Sequence, residues 1–166
     1  MLKMKTTTLI IIITILLTIR LFGQVDRVFV NINDTVQLSL ERTKFDTTGK
    51  KYEYYDNKFP FSINERPIFG TDGDFPKYTL TKATLTIGSN KYDLQVDNMY
   101  NPWFGDRPND NAYKIKKDGT EILLIGFFSD GAGYYGAEWL IVGRSSVRTI
   151  LTKDELLLFA YLDDKK

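Results

Sequence analysis

The chain contains no cysteine and no histidine. Without cysteine there is no disulfide, no thiol nucleophile, no thiolate metal site and no residue to carry the lipid of a bacterial lipoprotein. Without histidine there is no Ser-His-Asp triad and no imidazole ligand. Charge of one sign is also lacking: 22 Lys and Arg stand against 21 Asp and Glu, a formal net charge of +1. No overall field would hold a polyanion, so nucleic acid is set aside as a partner. There is no phosphate-cradling Gly-Lys-Ser/Thr loop and no dinucleotide fingerprint, because the glycines of 131–136 are not followed by a helical pattern. No cofactor is expected. Internal repeats, heptads and low-complexity tracts are absent as well.

What is present, 166 residues with 43% hydrophobic and 14% aromatic content, suits one compact domain. The first residues stand apart. Lys3 and Lys5 precede an uncharged, mostly apolar run from Thr6 to Ile19 that Arg20 closes, the order of a secretory signal peptide. The run is shorter than the roughly 20 residues a membrane-spanning helix needs. Cleavage is expected after Gly23. Leu21, in the third position before the cut, is larger than the small residue preferred there, so an uncleaved N-terminal anchor is the alternative. Either way the chain is expected to be exported, as a periplasmic or secreted protein or, less readily, a membrane-anchored one. Removing 1–23 takes three of the 22 basic residues and none of the 21 acidic ones, turning the net charge from +1 to −2. Residues 24–166 then form a single domain that must rely on its apolar core, which a chain of this length can build without staples.

Apolar residues recur with period two in short stretches separated by Gly, Asn, Asp and Pro, the pattern of strands and turns. Val28, Val30 and Ile32 alternate, and after Asn33-Asp34 the pattern resumes at Val36, Leu38 and Leu40, predicting a first hairpin. Residues 43–77 are less regular and predict one or two edge strands and long loops. Ala83, Leu85 and Ile87 lead through Gly88-Ser89-Asn90-Lys91 to Tyr92, Leu94 and Val96, a second hairpin. Tyr113 and Ile115 lead to an Asp118-Gly119 turn and an apolar run from Ile122 to Phe128, as in a central strand. Lys114 and Lys116 share a face of their strand, which suits a protected sheet edge. Ala137, Trp139 and Ile141 alternate before Gly143-Arg144-Ser145-Ser146, and Val147 to Leu151 leads back. Thr152-Lys153-Asp154-Glu155 has capping-box spacing and predicts a short helix over 153–162, although Leu156–Ala160 is apolar all round and could be a buried strand. The expected fold is all-β, or α+β with that helix: an antiparallel sandwich or barrel of about eight strands built from hairpins.

Two irregular stretches could carry chemistry. Between Asp97 and Ala112, Tyr100, Trp103 and Phe104 offer rigid aromatic faces while Asn98, Asn101 and Asp106 offer directional hydrogen bonds, a mixture that binds sugars or protein surfaces. The plainer reading is that Met99, Trp103 and Phe104 plug an open end of the sheet. Between Ser129 and Trp139, Asp130, Tyr134, Tyr135 and Glu138 could line a shallow site with Gly131 and Gly133 admitting a close approach; the plainer reading is a tight connection whose Tyr rings cover a sheet edge. Trp139 shares a face with Ala137 and Ile141 and is expected in the core. Asp106, Asp130 and Glu138 are the carboxylates from which a glycan hydrolase could be built. Calcium could draw on Asp106, Asn109, Asp110 and Asn111, or on Asp72 and Asp74, but neither set follows the EF-hand pattern, and no metal site is assigned.

The stretch Ser129–Trp139 resembles the Ser-Gly-x-x-Tyr loop, with a Trp beyond it, of small periplasmic β-barrel lysozyme inhibitors. The likeness is confined to these residues, Asp130 interrupts the Ser-Gly pair, and the cysteines common in that family are missing. It implies a β-barrel that inhibits a cell-wall hydrolase. The expected function is an exported, non-catalytic binding module for an envelope protein or glycan, with Tyr100, Trp103, Phe104, Asp106, Asp130, Tyr134 and Tyr135 as its contact residues. The alternatives are a carboxylate-dependent hydrolase using Asp130 and Glu138 and an envelope protein without a ligand.

Overall fold

A computed structural model describes residues 25–105, 112–129, 133–154 and 157. The expected signal segment and nearly all of the expected helix after Asp154 lie outside the described residues. At the start of that stretch Thr152 Oγ1 accepts the Asp154 amide at 3.0 Å, and Asp154 Oδ1 accepts the Leu157 amide at 3.4 Å.

Among the described residues every element is a strand and every pairing is antiparallel. β1 (Asp26–Asn33), β2 (Val36–Lys44), β6 (Tyr78–Ile87) and β7 (Asn90–Leu94) form one sheet in the order β1-β2-β6-β7. β8 (Tyr113–Asp118), β9 (Glu121–Phe128), β10 (Tyr135–Val142) and β11 (Ser145–Thr152) form a second, in the order β11-β10-β9-β8. These are the eight strands and four hairpins that the alternation predicts. Two of the turns, at 88–91 and 143–146, are tighter than the sequence suggests, and the third is shifted by one residue. Ile87 pairs with Asn90, Asp118 with Glu121 and Val142 with Ser145, leaving two-residue connections at Gly88-Ser89, Gly119-Thr120 and Gly143-Arg144. Each glycine is at positive φ, +58°, +57° and +61°, the left-handed geometry that matches strand twist in two-residue hairpins. Thus Asp118 is the last strand residue, and the turn expected at Asp118-Gly119 lies one residue on.

The inward rows of the two sheets make the core. Val30, Leu38, Leu40, Ala83, Leu85 and Leu94 of the first sheet pack against Leu124, Phe128, Tyr135, Ala137, Trp139 and Ile141 of the second. Trp139 is fully buried, as expected, and donates Nε1–H to Gln95 O at 3.0 Å. Gln95 Oε1 accepts the Arg148 amide, and Ser146 Oγ donates to Asp93 O. The last two bonds bind the end of β7 to the β11 edge, and the Trp139 bond ties the same segment to β10, closing one side of the sandwich.

Residues 43–77 depart from expectation. They carry no edge strand of the main sheets beyond the end of β2. Instead β3 (Tyr52–Tyr55), β4 (Phe59–Ile63) and β5 (Arg66–Pro67) form a separate three-stranded meander. Its two turns contain no glycine: Asp56 and Asn57 have φ of +53° and +52°, Asn64 and Glu65 of +51° and +65°. Asp and Asn tolerate this region better than other side-chain-bearing residues, and a search for Gly as the turn marker passes over them. A small second core of Ile63, Ile68 and Tyr100, with Phe45 and Tyr52 against it, seats the meander at one end of the sandwich.

Candidate binding cleft

The inward row of β2 runs Val36, Leu38, Leu40 and then Arg42. A cation therefore sits where the core would otherwise continue, at the end of the sandwich. Its guanidinium lies between two rings, 4.0 Å from the Tyr78 centroid and 4.4 Å from the Phe104 centroid, an arrangement that planar, weakly hydrated Arg suits. Arg42 Nε donates to Asp26, its cross-strand partner, at 3.3 Å, and Nη1 donates to Pro102 O at 3.0 Å. Phe104 is thus a lid on Arg42, half-buried against the main core.

Asn101 holds the neighbouring loop. With φ of +44°, its Oδ1 accepts the amides of Lys77 and Tyr78 at 2.8 and 3.0 Å, and its Nδ2 donates to Gly70 O at 2.7 Å. One side chain therefore ties three segments together. The 99–101 segment also runs beside the start of β6: Leu80 N donates to Met99 O and Asn101 N to Tyr78 O. Gly70 is pressed beneath it, since a Cβ there would come 2.8 Å from the Tyr100 carbonyl carbon.

These anchors frame a cleft of about 370 Å³, within the roughly 300–1,000 Å³ usual for ligand sites. Arg42, Tyr78 and Asn101 line it together with Asp72, Asp74, Phe75, Lys77 and Trp103. The far wall is Ser129 and Gly133, the latter so close to the 70–71 peptide that a Cβ would lie 3.1 Å from Thr71 N. Lys153 braces the Asp72 side by donating to Thr71 O at 3.4 Å; burial lowers its pKa, and the Asp72 carboxylate pulls the other way. Trp103 is 47% exposed. Gly105 backs its indole, since a Cβ there would come 2.6 Å from Cε2. The formal charges of the lining balance, with Arg42 and Lys77 as its two cations and Asp72 and Asp74 as its two carboxylates.

The expected contact residues separate in this frame. Trp103 is an exposed wall of the cleft. Tyr100 and Tyr135 are not surface groups: Tyr135 is fully buried and donates its hydroxyl to Tyr100 O at 3.0 Å, and Tyr100 is in the second core. The reason is parity, because Tyr135 shares the inward row of Ala137 and Trp139. Burial pushes both phenol pKa values up. Tyr134 points the other way and stacks on Phe127, centroids 6.3 Å apart at 13°, on the face opposite the core. Asp106 and Asp130 lie outside the described residues, although Ser129 and Gly133 flank the latter. Glu138 is buried on the outer face of β10, where Thr149 Oγ1 donates to its Oε1 at 2.6 Å. Among the described residues no group of three or more metal-ligating acids occurs. Sequence reading missed Arg42, Phe75 and Lys77, and it weighed Asp72 and Asp74 only for calcium; the continuation of the β2 alternation to residue 42 was the one available signal. No family model, curated protein or solved structure matches this chain.

Proposed function

We propose that this chain is an exported, non-catalytic binding module and that its cleft takes a neutral glycan of the cell envelope. One observation carries the reading: an indole 47% exposed, backed on one side by Gly105, stands at the wall of a cleft whose polar lining is charge-balanced. A flat, fixed ring receives the C–H face of a sugar at little entropic cost. Carboxylates and a lysine beside it offer hydrogen bonds to hydroxyls without demanding a charged ligand. Arg42 and Asn101 act as positioning residues, since their polar groups are engaged with the frame of the cleft.

The test is co-sedimentation of the purified protein with peptidoglycan sacculi and with extracted envelope polysaccharide. Trp103→Ala should abolish retention while changing stability by no more than about 1 kcal/mol, as befits a surface side chain. Retention of the variant at full strength would overturn the reading. Recognition of an envelope protein, including inhibition of a cell-wall hydrolase, is the second reading. It is favoured by Phe59 and Phe61, which are 40% and 52% exposed and carry no hydrogen-bonding group.

A further inference from the structure

Neighbouring residues of the 99–101 segment line two different cavities. Asn101 lines the cleft, whereas Tyr100 lines a pocket of about 360 Å³ together with Lys50, Asn64, Arg66, Asp97 and Asn98. The pocket lies where the meander meets the sandwich, because Lys50, Asn64 and Arg66 flank or belong to the meander strands while residues 97–100 follow β7. Tyr100 is the informative member. Its ring is fixed edge-on against Phe45, centroids 5.5 Å apart, and the residue is only 8% exposed. Its carbonyl is taken by Tyr135, but its hydroxyl has no hydrogen-bond partner among the described residues. A hydroxyl so placed is uncommon. Burial and then Tyr52 raise the phenol pKa while the Arg66 charge lowers it, which sets the hydroxyl on the Arg66 side of the pocket.

The cations of the lining are as available as the hydroxyl. Neither Lys50 nor Arg66 forms an ion pair with a described residue. Lys50 Nζ instead stands 5.5 Å from the centroid of Phe45, the ring that fixes Tyr100. Asn64 Oδ1 accepts the Lys51 amide at 2.9 Å, leaving Nδ2 as the end that can donate. Lys50 and Arg66 against Asp97 give the lining a formal charge of one positive unit, which matches a monoanion. Arg148 is outside the lining: its Nη1 donates to Asp97 O at 2.6 Å, and the Asp97 carboxylate opposes the lowering of its pKa by burial.

We infer that this pocket binds the carboxylate group of a small ligand: Arg66 and Lys50 supply the charge, and the Tyr100 hydroxyl donates a hydrogen bond to one oxygen. Charge-assisted bonds of this kind are short and about twice as strong as neutral ones. The planar fork of Arg66 matches the two oxygens of a carboxylate. This site does not depend on the glycan reading of the cleft.

The test is titration of the purified protein with sodium acetate at constant ionic strength, followed by the side-chain amide NMR signals of Asn64 and Asn98. Saturable shifts with a Kd on the order of millimolar are expected. Arg66→Gln should weaken binding about tenfold, the scale of one charge-assisted hydrogen bond. Tyr100→Phe should weaken it about threefold or more and leave the melting temperature unchanged, because the hydroxyl has no described partner to lose. Lys58→Gln, which removes a meander cation outside the pocket, should bind acetate as the unmodified protein does. Shifts that do not saturate, full affinity in Arg66→Gln or Tyr100→Phe, or an equal loss in Lys58→Gln would overturn the site. Saturation by phosphate in place of acetate would overturn it as well. An N-acetyl amino acid and a hexuronate, added in competition, distinguish an amino-acid carboxylate from a sugar carboxylate as the source. Displacement of acetate by either supports the site; displacement by neither shows an adventitious ion only and overturns it.

Discussion

At the scale of single residues, the cleft depends on side chains that do not themselves face a ligand. Asn101 is the sharpest case, because three hydrogen bonds to backbone groups and a left-handed backbone meet in one residue. Asn101→Ala leaves two amides and a carbonyl without that partner and places Ala at positive φ, so it should cost on the order of 2–4 kcal/mol. Urea denaturation measures this, and an effect below 1 kcal/mol would mean that water replaces the clamp without loss. Ser62 predicts the opposite sign. Its Oγ is buried on β4 with no hydrogen-bond partner, so Ser62→Ala should leave stability unchanged or raise it by up to about 1 kcal/mol. A clear loss of stability in the same assay would show that the hydroxyl has a partner such as bound water. The residue scale is also where sequence reading was weakest. Trp103, expected as a contact residue because it is an aromatic of the irregular 97–112 stretch, is 47% exposed and lines the cleft. Tyr135 was not a surface group, and extending the Ala137-Trp139-Ile141 alternation back by two would have placed it inside.

At the scale of elements, the hairpins were legible because period-two alternation and turn chemistry agree locally. Glycine does two different jobs here. At Gly88, Gly119 and Gly143 a Cβ would meet nothing within 4 Å, so only the left-handed φ requires glycine. Gly143→Ala should therefore cost about 1–2 kcal/mol, the strain of that conformation alone. At Gly70 the same substitution adds a clash with the Tyr100 carbonyl to a φ of +91°. Gly70→Ala should be clearly more destabilising than Gly143→Ala, and equal melting temperatures for the two variants would refute the distinction. The meander, where one or two edge strands are expected, is only partly legible in the sequence for a related reason. Its turns use Asp-Asn and Asn-Glu pairs, and Pro60 lies within β4 beside an irregularity in the β3–β4 register between Glu53 and Tyr54. Each of these reads as a breaker when the residues are taken one at a time.

At the scale of the whole molecule, the missing histidine and the buried tyrosines set the response to pH. No side chain with an ordinary pKa titrates between about pH 6 and 9, so stability should be nearly flat there. Burial raises the phenol pKa of Tyr113 and of Tyr135. A phenol whose pKa rises on folding keeps its proton in the folded state after the unfolded chain has lost it. Its contribution is complete below about pH 10, the ordinary Tyr value, and declines above it. Lys153 and Arg148, whose pKa values burial lowers, act with the opposite sign, but both are less deeply buried than the two phenols. Melting temperature should fall above pH 10, and Tyr113→Phe should make that limb shallower. An unchanged slope in the variant would remove Tyr113 as a cause.

The sequence by itself determined the all-β class, the four hairpins, the inward rows and the burial of Trp139, because each follows from the identity of residues a few positions apart. Only the tertiary structure decided that β7 meets β11 through Gln95, that Arg42 ends an apolar row between two rings, and that the 70–78 loop, Trp103 and Gly133 enclose one cleft. Those features join residues that are distant in the chain: 60 positions separate Arg42 from Pro102, and 82 separate Lys153 from Thr71. No local period records such pairings. They arise when the strand ends are brought together and the polar groups left there find hydrogen-bond partners.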